Sequence, residues 1–144
     1  MKKKIILLLI VLIIVSCSSG PKKIGMRGRF FQACPGTPNC VSSMDKRRNH
    51  YVAPINYTIS NEDAFKRLIV VLNSMNKVTV LKQTPTYVYV VFRTPLMNFK
   101  DDVEFYLPSF SKIIHIRSAS RIGFSDMGAN RKRVELIRKR FNER

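Results

Sequence analysis

Histidine and acidic side chains are scarce: the 144 residues include 2 histidines and 9 Asp and Glu against 26 Lys and Arg. No EF-hand spacing, glycine-rich phosphate loop, GxSxG elbow or HExxH pair occurs. The calcium, nucleotide, serine-hydrolase and zinc-protease chemistries that short motifs reveal are therefore without a sequence signature. Long apolar runs are also missing. Ile5 to Val15 is uninterrupted but short, whereas a bilayer-spanning helix needs about 20 apolar residues. No internal repeat is evident, and Cys is limited to 3 residues.

What is present at the N-terminus suits export. Lys2, Lys3 and Lys4 precede the apolar run, and the length and flanks fit a signal h-region. The run ends Ile14-Val15-Ser16-Cys17, which resembles the lipobox of bacterial lipoproteins. That resemblance implies cleavage before Cys17, lipidation of Cys17 and a cell-envelope protein held on the membrane by its acyl chains. Several chains on one cysteine hold firmly, at about 0.8 kcal/mol per buried methylene. Ser18 in the next position implies outer-membrane sorting, facing the periplasm, in an organism that has such a membrane. Residues 1–16 are thus expected to be a signal peptide, 17–31 a Gly/Ser/Lys/Arg-rich tether, and 32–144 one folded domain.

Charge is the strongest global feature. The formal net charge of +17 falls to +14 when Lys2, Lys3 and Lys4 are set aside. In the cytoplasm such an excess points to nucleic acid, but an exported chain has little access to it and none is expected as partner. An anionic lipid, a glycolipid or an acidic envelope polymer suits the charge better.

If Cys17 is lipidated, Cys34 and Cys40 remain as a pair in an oxidising compartment, and a disulfide is the expected outcome. A Cys2His2 zinc site with His50 and His115 is arithmetically available, yet it lacks the close CxxC or HxxxH spacing of zinc sites. No metal or other cofactor is expected. The bridge closes CPGTPNC, whose prolines and glycine already favour a sharp reversal.

Along the domain, Ser60 followed by Asn61-Glu62-Asp63 reads as a helix start. Phe65, Leu68, Leu72 and Met75 then recur at helical spacing. Tyr51-Val52 reads as a short strand. Period-two alternation marks strands at Lys77–Lys82, Tyr87–Arg93, Val103–Leu107 and Lys112–Ala119. A last helix covers Asn130–Phe141, with Val134, Ile137 and Phe141 on one face. The order helix, four strands, helix predicts an α+β fold: an antiparallel sheet of about four strands covered on one face by two helices.

CPGTPNCVSS, FKDDVEFYL and RSASRIGFSDMGANRKRVE together resemble the bacterial domain of unknown function 1499 family, over Cys34 to Phe141. The resemblance implies one domain and carries no activity, so chemistry has to come from the residues. Arg117, Ser118, Ser120, Arg121, Asp126, Asn130 and Arg131 gather where a strand feeds the last helix, a candidate corner for a small anion or polar headgroup. The alternative is a corner held together internally, with Arg117 or Arg121 paired to Asp101, Asp102 or Asp126. Asp102 and Glu104 share a strand face that Asp101 does not, and His115 lies opposite Ile114 and Ile116. Two functions follow. One is a non-catalytic binding or envelope-accessory module with a basic surface. The other is a small hydrolase or transferase using Asp102, Glu104, His115 and Arg117, which requires an acid within hydrogen-bond reach of His115.

Overall fold

The computed structural model describes residues 23–144. The signal segment, Cys17 and the first part of the expected tether lie outside them.

Helix α1 (Asn61–Asn73) starts as its sequence requires. The Ser60 hydroxyl accepts from the Asp63 N–H at 3.0 Å and donates to the Asp63 carboxylate at 2.7 Å, a reciprocal cap of the first turn. Ala64, Leu68, Val71 and Leu72 form its buried stripe. Helix α2 (Ala129–Asn142) buries Asn130, Val134, Ile137 and Phe141. Its cap is Gly128, at φ 78°, a conformation glycine adopts without cost. Asp126 accepts from the Gly128 and Asn130 N–H groups at 2.9 and 2.8 Å. The helix start is therefore satisfied by a carboxylate from its own chain.

Six strands form the main sheet, rather than about four. The strands β5 (Val78–Thr84), β6 (Tyr87–Arg93), β7 (Lys100–Tyr106) and β8 (Ile113–Ser120) are the alternating segments. Each pairs antiparallel with the next. The extra strands are β3 (Cys40–Ser42) and β4 (Ile55–Asn56), which add to opposite ends of the same β8 edge. Tyr51 makes only an isolated bridge to Ser42, not a strand. At the other edge, β5 slips register between Val80 and Lys82. A bulge on a polar edge discourages pairing with another chain.

Both helices pack on one face of this sheet, as expected. Val88, Val90, Val103, Phe105, Ile114 and Ile116 face them, and together they make the main core. The opposite face has a second, smaller core of Tyr87, Tyr89, Val91 and Phe31, with Ile24, Met26 and Met44 against it. Its cover is the hairpin of β1 (Met26–Arg27) and β2 (Phe30–Phe31). The stretch from Ile24 to Phe31, expected as the distal end of a tether, thus lies on the sheet. Among the described residues, no helix is long and apolar enough to cross a membrane.

Candidate functional site

Strand β7 begins Lys-Asp-Asp-Val-Glu, and the alternation of a strand sends Asp101 to the helix face and Asp102 and Glu104 to the hairpin face. All three acids are buried. A buried carboxylate is tolerated only when paired and hydrogen-bonded, and each is neutralised by its own arginine.

On the helix face, Asp101 pairs with Arg133 of α2. Arg133 also donates to Ser118 at 3.1 Å and to the Asn130 side-chain carbonyl at 2.7 Å. Its guanidinium lies 4.9 Å from the Phe92 ring centroid. Asn130 is fully buried and accepts from Ser118 at 2.6 Å. Its amide donates to the Asn39 carbonyl, to Ser120 and to Asp126 at 3.1, 2.9 and 2.6 Å. This one side chain joins the cysteine loop, β8 and the start of α2.

On the hairpin face, Glu104 accepts from the Gly25 N–H and the Tyr87 hydroxyl, both at 2.7 Å, and from Arg117 at 3.1 Å. Asp102 accepts from the Tyr89 hydroxyl at 2.6 Å and from Arg121 at 2.9 to 3.1 Å. The tyrosines reach these acids diagonally across the β6–β7 register, in which Tyr89 stands opposite Glu104 and Val91 opposite Asp102. Burial pushes the Glu104 carboxyl above its ordinary value, opposed by the hydrogen bonds from Tyr87 and Gly25 and by Arg117. Burial, reinforced by the bond to Glu104, also raises the Tyr87 phenol. Tyr89 is pushed up to about 12 by burial and then by its bond to Asp102. Both phenols therefore stay protonated donors at neutral pH.

Beside this network lies a cleft of about 410 Å³, whose wall includes the Cys34–Pro35 stretch of the cysteine loop. Cys34 and Cys40 are joined as a disulfide, with Cα atoms 5.6 Å apart. That bond ties the end of the hairpin layer to β3, so the wall is covalently fixed. Lys23, Arg117 and Arg121 line the cleft, against Asp102 as the acid. Arg117 is 2% exposed, and its Nε–H has no hydrogen-bond partner among the described residues. A buried guanidinium N–H without an acceptor is costly, and this one is closed off from solvent. Thr37, Asn39 and Ser120 add polar groups to the lining.

The predicted corner is therefore divided. Arg117 and Arg121 face the cleft, with Ser120 at its margin. Ser118, Asp126 and Asn130 belong to the helix-face network. Arg131 lies apart, donating to the Tyr51 and Asn49 carbonyls at 2.7 and 3.0 Å. His115 has neither Asp102 nor Glu104 as a partner. Its Nδ1 meets the Ser43 hydroxyl at 3.1 Å, its ring stacks on Tyr106, and burial lowers its pKa. His50 is buried and donates from Nδ1 to the Cys40 carbonyl at 2.8 Å. Strand alternation marks the acids and His115, and the polar cluster at the strand-to-helix corner marks Arg117. Lys23, Tyr87, Tyr89 and Arg133 carried no local signal, because register and long-range packing bring them in.

Fold and site together define a class: an α+β domain with a central strand that presents arginine-neutralised acids to both faces beside a polar cleft. The chain belongs to the family described as "Protein of unknown function (DUF1499)", whose model matches residues 31–141. The disulfide, the β7 acids and the arginines that pair with them fall inside that span. Comparison with curated proteins and with solved structures finds no match.

Proposed function

We propose that the protein is an exported lipoprotein, anchored through Cys17, whose domain is a non-catalytic module binding an anionic group of the cell envelope. The observation that carries the reading is the cleft lining: exposed Lys23 stands there beside Arg117 and Arg121, leaving one cation over after Glu104 and Asp102 are paired. Binding is favoured over catalysis because the β7 acids are committed to arginine and tyrosine partners, so none is positioned to exchange a proton with His115. A phosphate or carboxylate suits the paired guanidinium groups, which offer planar N–H forks. The ligand class is an anionic lipid or glycolipid headgroup, or an acidic envelope polymer.

The test is thermal unfolding of the full chain with glycerol phosphate as headgroup probe and glycerol as control. A ligand that binds only the folded state raises the midpoint. Glycerol phosphate should raise it saturably, added salt and Lys23→Gln should weaken the effect, and glycerol should do nothing. Equal responses to both compounds, or none, would count against the cleft. Fatty-acid labelling of the wild type but not of Cys17→Ala would support the anchor independently.

A further inference from the structure

Two loops leave the same end of the sheet. One is the 94–99 connection between β6 and β7; the other is the 121–128 connection between β8 and α2. The Arg121 N–H donates to the Lys100 carbonyl at 3.1 Å, so the bases of the two loops are hydrogen-bonded side by side. Both carry apolar side chains in solvent: Leu96 (91% exposed), Met97 and Phe99 on the first, and Ile122, Phe124 (71%) and Met127 (91%) on the second. Isolated exposed apolar residues are ordinary, but a group on two loops joined at their bases marks an interaction surface.

The surroundings are cationic. Arg93 and Lys100 flank the first loop in register, and both are exposed. Lys77 donates to the Pro95 carbonyl at 2.9 Å, and Lys132 shares a surface depression with Thr94 and Pro95. The acids nearby are occupied: Asp101 and Asp102 are buried with their arginines, and Asp126 caps α2. Protruding apolar tips within a basic collar suit an anionic bilayer, which takes apolar groups past its headgroups and attracts lysine and arginine.

The chain's route adds a second argument. Lys23 lines the cleft with Ser120, Arg121 and Gly123, so the chain enters the domain at this same end. Cys17 lies six residues earlier, within roughly 20 Å of Lys23 even if fully extended. The far end of β7 has fewer such groups. Phe30 and Phe110 are exposed there, and the Arg29 guanidinium lies 5.0 Å from the Phe110 ring centroid.

We infer that the 94–99 and 121–128 loops form a lipid-docking face, inserting Leu96, Met97, Phe124 and Met127 into the anionic membrane that anchors the chain. This rests on the anchored reading above and adds an orientation: the cleft opens beside the membrane surface, within reach of headgroups.

The test places a polarity-sensitive, thiol-linked fluorophore in the full, membrane-held chain at Met97→Cys, Met127→Cys or Phe110→Cys. The membranes are phosphatidylethanolamine–phosphatidylglycerol vesicles with an acyl-chain quencher. Probes at 97 and 127 should shift to the blue and be quenched several-fold more than the probe at 110. Replacing phosphatidylglycerol with phosphatidylcholine, or Leu96 and Phe124 with serine, should return the probe at 127 toward its aqueous spectrum. Aqueous spectra at 97 and 127 in a fatty-acylated chain would overturn docking while leaving the anchor intact. If Cys17 carries no acyl label, the anchor reading fails. The probes are then read on adding the same vesicles, and no response overturns docking as well. Equal quenching at 110 also overturns it.

Discussion

Arg117 and Glu104 are 2% and 0% exposed at the side chain and meet at 3.1 Å. Arg117→Met keeps an unbranched apolar stem but removes the cation. Glu104 would keep its bonds from Tyr87 and Gly25 and lose its counter-charge. Breaking a buried pair from one side costs about 3–5 kcal/mol, whereas replacing both partners costs far less. The double variant Arg117→Met/Glu104→Gln should therefore be more stable than Arg117→Met alone, because the introduced amide carbonyl can still accept from Tyr87 and Gly25. The penalty should also depend on pH. Burial holds the folded Glu104 pKa above its ordinary 4.5. Its contribution to stability is full below that value and falls as pH rises through the folded pKa. Removing Arg117, one of the influences that lowers this pKa, raises it further. The cost of Arg117→Met should thus be smaller near about pH 4 than near about pH 7. Urea unfolding followed by far-UV circular dichroism measures it directly; with no tryptophan in the chain, intrinsic fluorescence would rely on 5 tyrosines. A penalty below about 1 kcal/mol, or one equal at both pH values, would refute the buried-pair argument.

Asn130→Ala removes the amide that holds the Asn39 carbonyl, Ser120 and Asp126. It should cost about 2–4 kcal/mol in the same unfolding assay. Reducing Cys34–Cys40 should cost about 2 kcal/mol, the entropy of so short a loop. It should also weaken glycerol phosphate binding, because the cleft wall loosens; binding unchanged in the reduced protein would separate the bridge from the site. Burial holds the His115 pKa below its ordinary 6.5. Its contribution to stability is present above that value and is lost as pH falls through the lowered folded pKa. His115→Gln should flatten the acid-side decline in stability; an unchanged profile would mean that other groups set it.

Much of this architecture is legible in the chain. Alternation located β5 to β8, the Ser60 cap located α1, and period two sent Asp102 and Glu104 to one face and Asp101 to the other. Strands β3 and β4 were not legible, because segments of two or three residues show no period and exist only by pairing with β8. The hairpin layer was hidden for a different reason. Ile24, Met26 and Phe31 are scattered among glycine, lysine and arginine, and only Tyr87, Tyr89 and Val91 across the sheet make them a core. Arg133 found Asp101 across 32 positions, a pairing set by helix placement and beyond any local pattern.

The central claim is that Arg117 and Arg121 form an anion site and are not merely ballast for buried acids. Guanidinium NMR of the full chain, titrated with glycerol phosphate, tests it most directly. Saturable shifts of the Arg117 and Arg121 Nε–H signals are expected, with Arg131, held on the Tyr51 and Asn49 carbonyls, left unmoved. Unmoved Arg117 and Arg121 signals in a folded chain, or an equal drift of all three, would contradict it.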